Sequence, residues 1–520
     1  MTRVRLLLTF VVLASSVTPV SADKANKASK SEVLDLLEGA LAAGEGVPAR
    51  ALLDRYLAEN GTSSRTSELE ILTNYYTGEY EAAAEGVLAL RADPRAPADL
   101  GNFADVIVDT FETTKGYEVF RHENFEVWYE PGADEILVPY AIDTLKAVAE
   151  ALEEELGVEM VSPVRLEIYP DADSLARVST LSVDAIRTTG TIALCKWGRL
   201  MIASPRALMH GYPWLDTIAH EYVHLVLTKA TLDRAPVWLQ EGVAKFLETR
   251  WRKESASLPN EPASRRLLYE AAMTNELLDF DQLHPSIALL PTQKAASLAF
   301  AQVSSFIAVF YAEYGAEGLQ QALGRVADGE DARKALAQVA GVPWRTLEGR
   351  WKDGLAEAPE APAARLMHRY LSGEASEQDE VASVELERAR KFLRLGDLLW
   401  ARQRATAASV EYGKAHRAAP GDPVVASRYA RSAIAGGRPA DAIAPLSMTL
   451  RLYPTHAPAL SSMATAQYRI SRPEAAKEAA YQAIAHNPFD PQPHCILSNL
   501  SVPQAEHEAS VCSKLGGLRE

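Results

Sequence analysis

Two histidines four residues apart, His220 and His224, enclose Glu221 in the run His220-Glu221-Tyr222-Val223-His224. Residues at that spacing stack on one face of an α-helix, so both imidazoles can present a nitrogen to a single cation. Glu221 lies one position along. Its carboxylate is placed to take a proton from a water that the cation polarises, which is chemistry suited to hydrolysis. Apolar residues surround the motif from Trp214 to Leu227, so the expected helix is largely buried. A buried imidazole pair needs partners; the alternative to a cation is a pair of hydrogen-bonded core histidines beside a salt-bridged glutamate.

A third oxygen donor follows a short break. Pro236 suits the first turn of a second helix, and that helix carries Glu241 within Trp238-Leu239-Gln240-Glu241-Gly242. Leu239, Val243, Phe246 and Leu247 form its apolar stripe, and Gly242 is expected to let the first helix approach closely. Two histidines and a carboxylate leave one tetrahedral position for water, the mark of a catalytic Zn2+ site; a structural site closes with four protein ligands.

These motifs carry a resemblance. HEYVH, followed after sixteen intervening residues by Glu241 in WLQEGVAKFLE, is similar to the gluzincin metallopeptidases. In particular it resembles the peptidase MA-like domains that occur with tetratricopeptide repeats in exported bacterial proteins. The segment around Glu241 also resembles aminopeptidase N-like enzymes. The resemblance is strongest over residues 214–250 and extends over 118–355. It implies Zn2+ ligands at His220, His224 and Glu241, a general base at Glu221, and a peptide or protein substrate. Related domains often carry a tyrosine that stabilises the oxyanion; the matching position here is Phe300, which cannot donate a hydrogen bond. Tyr311, Tyr314 and His284 are the candidate replacements. Glu248 and Asp216 are the candidate carboxylates to orient a ligand imidazole.

The elements that must hold this site are readable upstream. Phe125–Tyr129 and Val164–Tyr169 alternate apolar and polar residues as strands do, with a helix over about 139–156 between them. Thr189–Cys195 and Arg199–Ala203 read as a hairpin joined through Lys196-Trp197-Gly198. By the resemblance, a strand there is an edge on which an extended peptide can lie; a plain hairpin is the alternative.

Downstream, Pro420, Pro454 and Pro488 recur every 34 residues, as do Ala408, Ala442 and Ala476, and the small residues Gly396, Ala430 and Ala464. That period is the tetratricopeptide length. Units are expected over 389–422, 423–456 and 457–490, with a helical cap to the carboxyl end, binding a protein partner or bracing the central domain. Residues 23–115 read as helical, with a degenerate tetratricopeptide-like stretch around Tyr75 to Ala83. The Pro- and Ala-rich 356–364 and the acidic, Ser-rich 372–383 fall in an expected linker over 356–388.

Arg3 and Arg5, the apolar run Leu6 to Ala14 and Val20-Ser21-Ala22 read as a signal peptide over residues 1–22. Export to the periplasm or medium follows, with a retained anchor as the alternative. No other segment is expected to cross a bilayer. A net charge of −16 without a basic patch speaks against nucleic-acid binding. Cys195, Cys495 and Cys512 form no disulfide framework, although Cys495 and Cys512 flank a turn at equal reach and can pair. The expected fold class is therefore multidomain: an α+β zincin-like domain over 118–355, flanked by all-α regions and ending in a tetratricopeptide solenoid over 389–520. A catalytically weak or inactive peptidase-like scaffold, with the repeats carrying assembly, is the alternative to an active enzyme.

Overall fold

Alternation of apolar side chains along Phe125, Val127 and Tyr129 buries one face of a strand and begins a small mixed sheet. The structure, a computed structural model, describes residues 29–516 apart from 43, 93–99, 159–162, 253–260, 284–285, 358–362 and 374–375. The expected signal peptide over 1–22 lies outside the described residues.

The sheet has five strands: β1 (Glu118–His122), β2 (Phe125–Tyr129), β3 (Val164–Tyr169), β4 (Ala193–Lys196) and β5 (Arg199–Ala203), in the order β1-β2-β3-β5-β4. β2, β3 and β5 run parallel, and each outer strand is antiparallel to its neighbour. The parallel step from β2 to β3 needs a crossover, supplied by the helix Val138–Leu156, whose Ala141, Leu145 and Val148 are buried. Trp197 and Gly198 both adopt positive φ, 55° and 72°, the two-residue turn that matches strand twist and places β4 at the sheet's edge. The strand expected from Thr189 begins only at Ala193, because Val183–Thr189 is a helix capped by the Ser182 side chain and ended by Gly190 in the left-handed region.

Five helices precede the sheet among the described residues, from Lys30–Ala42 to Asn102–Thr114. They dock on its back through a buried ion pair. Arg199, 1% exposed on β5, meets Glu167, fully buried on β3, at 3.1 Å. Its guanidinium also donates to the hydroxyls of Tyr80 and Tyr75, both at 2.7 Å. These extra hydrogen bonds offset the cost of desolvating the charges.

Past residue 384 the chain is a stack of helix pairs: Glu387–Trp400 with Ala405–Ala418, Pro423–Ala435 with Ala440–Leu452, Ala457–Arg469 with Pro473–Ile484, and Pro491–Ser498 with Ala505–Lys514. The recurrent small residues have a steric cause. A Cβ on Gly396 would meet the Tyr412 ring at 2.4 Å, and Ala430 and Ala464, at the same position of later units, have no exposed surface. Cys495 and Cys512 are joined in a disulfide, S–S 2.06 Å, across the last pair.

The array does not stand apart. One apolar cluster runs from Phe125 through the sheet and its helices to Ile484, Ile496 and Val511. Trp214 donates from Nε1 to the Ile484 carbonyl at 3.1 Å, and Tyr140 donates to Glu508 at 2.7 Å. Part of the expected linker is ordered into this joint. Glu377–Ser383 is a helix with a capping box from Ser376 and Asp379, and its Glu380 meets His210 at 2.6 Å and Arg428 at 3.4 Å. The acidic residues thus serve as cap and ionic bridge.

Composition also needs one correction. Gln293–Ala327 is a helix long and apolar enough to cross a membrane by length and composition, contrary to the expectation that no such segment follows the leader. More than half of its most apolar stretch is buried, with Ala299, Val303, Phe306 and Ile307 in the core, and Gly315 breaks its helical geometry.

Candidate metal centre

The motif helix spans Trp214–Thr231 and is buried on most sides, with Ile218, Ala219, Tyr222, Val223 and Val226 in the core. The second helix, Val237–Leu247, starts directly after Pro236 and buries Leu239, Val243, Phe246 and Leu247. Gly242 lets a helix approach, but the neighbour is the long helix rather than the motif helix. A Cβ there would lie 2.8 Å from Ile307 Cγ1 and 3.0 Å from the Val303 carbonyl oxygen.

His220, His224 and Glu241 come together. Nε2 of His220 and Nε2 of His224 are 3.2 Å apart, and one oxygen of Glu241 is 3.3 Å from the first and 3.4 Å from the second. Three donors bonded at about 2.0–2.1 Å to one tetrahedral centre are spaced roughly 3.3–3.4 Å from each other. The triangle therefore fits a zinc-sized cation. The three side chains are 12%, 13% and 19% exposed, which leaves the cluster open on one side.

The carboxylates around this triangle set its electrostatics. Burial alone would lower the His220 imidazole, but hydrogen bonds to Glu241 and Glu248 and the charge of Glu221 push it up to about 10. Burial would raise Glu241; the His224 charge and bonds from both imidazoles hold it well below the usual carboxylate range. Glu221 moves the other way. Burial raises its carboxyl, against the charges of His224 and His220 and a hydrogen bond from the Cys195 backbone. One Glu221 oxygen is buried with no hydrogen-bond partner among the described residues.

Of the two orienting carboxylates, the structure selects Glu248, whose oxygen lies 3.1 Å from His220 Nδ1. Asp216 is engaged elsewhere, accepting from Trp251 Nε1 at 3.2 Å and from Arg252 at 2.7 Å. Lys245, not singled out from the sequence, pairs with the other oxygen of Glu248. Its signal was present as a Lys-Glu pair three residues apart on one helix face.

The Phe300 ring is 6.1 Å from that of His220, centroid to centroid, so a side chain with no donor faces the cluster at that point. Tyr311 is committed to Glu155 at 2.5 Å and Tyr314 packs on Phe310 at 4.8 Å, and neither is brought to the triangle. His284 lies outside the described residues. Cys195 is half-buried on β4, and its backbone amide reaches Glu221. Since Ala203 N–H donates to the Ile192 carbonyl, alternation along β4 turns the main-chain groups of Ala193 and Cys195 to the open edge.

Comparison with known proteins gives one family match: residues 144–357 fit the model of the Peptidase MA superfamily. No curated protein matches the chain. Similar solved structures include the APC/C hetero-tetramer Cut9-Hcn1, at TM-score 0.26 and 10% identity, covering 95% of this chain and 80% of that one. Yeast LTA4 hydrolase in complex with bestatin gives TM-score 0.30 at 10% identity, covering 77% of this chain and 67% of that one. The native yeast enzyme gives 0.31 with the same identity and coverage. The stretch that is similar to the Peptidase MA superfamily, residues 144–357, contains the His220, His224 and Glu241 triangle.

Proposed function

We propose that the chain is an exported, zinc-dependent metallopeptidase in which His220, His224 and Glu241 hold the ion and Glu221 is the general base. The observation that carries this reading is the donor triangle, with edges of 3.2, 3.3 and 3.4 Å. Bound Zn2+ supplies Lewis acidity toward a peptide carbonyl and lowers the proton affinity of water. Glu221 accepts the proton of the attacking water and passes it to the leaving amine; burial, which raises its carboxyl, suits that exchange. Glu248, held by Lys245, keeps the His220 Nδ1 proton and leaves Nε2 to the ion. An extended substrate adds to the outward main-chain groups of β4. The helix pairs past residue 384 engage the substrate or a protein partner. Export is supported by the Arg3, Arg5 and Leu6 to Ala14 pattern and by the Cys495–Cys512 bond, which persists in an oxidising compartment.

Purified full-length protein should contain zinc and cleave members of a diverse peptide library, with cleavage abolished by chelator. Glu221→Gln should keep zinc and lose about a hundredfold or more of the rate. His220→Ala and Glu241→Ala should lose the metal. Full activity in Glu221→Gln sinks the base assignment, and a folded sample that refuses the cation sinks the site. A second reading, a zinc-bearing scaffold without turnover, is favoured by Phe300, which offers no donor to a developing oxyanion. Zinc content without cleavage would select it.

A further inference from the structure

A cavity of about 540 Å³ opens beyond the amino-terminal end of the edge strand β4. Its apolar wall is made by Ile186, Ile192 and Leu208, and its rim carries Arg187, His368 and Arg369. Two arginines thus stand on one cavity in a chain of net charge −16. Asp379 also touches the cavity, but its carboxylate is occupied by the Ser376 amide and hydroxyl, both at 2.8 Å. Arg187 lies 3.6 Å from the exposed Asp184. Arg369 forms no ion pair among the described residues, and its side chain is exposed.

The cavity is held in place from both sides. Leu371 bridges to Leu208, Met209 N–H donates to the Tyr370 carbonyl at 3.0 Å, and Gln293 Oε1 accepts from His368 Nδ1 at 3.0 Å. Two element lengths set how far it stands from the metal cluster. Along the edge strand, Ile192 is three residues from Cys195, whose amide reaches Glu221, a distance of roughly 10 Å at strand spacing. Along the long helix, Gln293 is seven residues from Phe300, which faces His220, again roughly 10 Å at helical rise.

The geometry points to this cavity as a subsite for an acidic side chain of the peptide substrate, about three residues from the bond that is cut. The inference rests on the peptidase reading and names the substrate class. A peptide paired to β4 advances about 3.3 Å per residue, so its third residue from the Glu221 side arrives at the cavity mouth. There a carboxylate meets the Arg369 fork while its methylenes lie on Ile192 and Leu208.

The test uses the full-length Glu221→Gln protein and short fluorescent peptides in which a single Glu is moved along an uncharged sequence, each with a Gln twin. At one position the Glu peptide should bind about tenfold tighter than its twin, the size of one charge-assisted contact. Arg369→Gln should remove most of that preference, and the Arg187→Gln, Arg369→Gln double variant all of it, with zinc content unchanged. Equal binding of every twin pair, no binding of any peptide, or a preference that survives the double variant overturns the subsite. Failure of the peptidase reading looks different. Acid-selective binding by a wild-type protein that never cleaves would remove the enzyme and keep the cavity, whereas chelator-sensitive cleavage indifferent to the acid would remove the cavity alone.

Discussion

One oxygen of Glu248 lies 3.1 Å from Nδ1 of His220, and its other oxygen is paired with Lys245. The burial that would raise the Glu248 carboxyl is outweighed by the Lys245 charge and the His220 bond, which keep it lowered and ionised. Glu248→Gln should therefore weaken zinc binding about 10- to 100-fold without unfolding the protein. Lys245→Met should give a smaller loss in the same direction. Competition titration against a chromogenic chelator reads both; unchanged affinity in Glu248→Gln would show that the imidazole needs no such anchor.

Gly242→Ala should lower stability by about 1–3 kcal/mol, because the added methyl meets Ile307 at 2.8 Å and the backbone of Val303 at 3.0 Å. Since Glu241 is the adjacent residue, zinc affinity should fall as well. Denaturant midpoints with and without added zinc check this. A variant as stable and as metal-avid as the parent would mean that the two helices have room to part.

The Cys495–Cys512 bond closes a loop with a sequence separation of 17, which in the chain-entropy account stabilises by about 3 kcal/mol. The double Cys→Ser variant should melt earlier than the oxidised parent and match the parent in reductant. Identical melting of oxidised and reduced protein would place this hairpin outside the cooperative unit.

Acid should loosen the joint at His486. Its side chain is 5% exposed, and burial lowers the imidazole from 6.5 to about 4. Between those values the unfolded chain binds a proton that the folded chain excludes. The contribution is complete above pH 6.5 and is lost as pH falls toward 4, about 2 kcal/mol at pH 5. His486→Gln should show a shallower loss of stability between pH 7 and 5 than the parent; parallel curves would count against it.

How much of this was legible beforehand follows from which distances are local. The four-residue step from His220 to His224 is fixed by helix geometry, so their shared face could be read directly, and the Lys196-Trp197-Gly198 turn followed from its residues. Choosing between Asp216 and Glu248 could not be done that way. Asp216 sits one turn from His220 on the same helix, yet Arg252 from beyond the second helix draws it away. Glu248 reaches the imidazole only because the two helices cross as they do, and no periodicity within either helix encodes that crossing. The sequence places the motif helix against Gly242 for the same reason, since the long helix that fills the space begins only at Gln293. The acidic 372–383 stretch read as linker because its charges find their partners, His210 and Arg428, far away in the chain.

The first residue of the motif helix, Trp214, is pinned to the carbonyl of Ile484, and a single apolar cluster continues from the sheet to Val511. Severing the polypeptide between 357 and 363 would accordingly yield one sedimenting particle rather than two fragments. The repeats also could not be grafted onto another protein without leaving a raw greasy scar on both pieces.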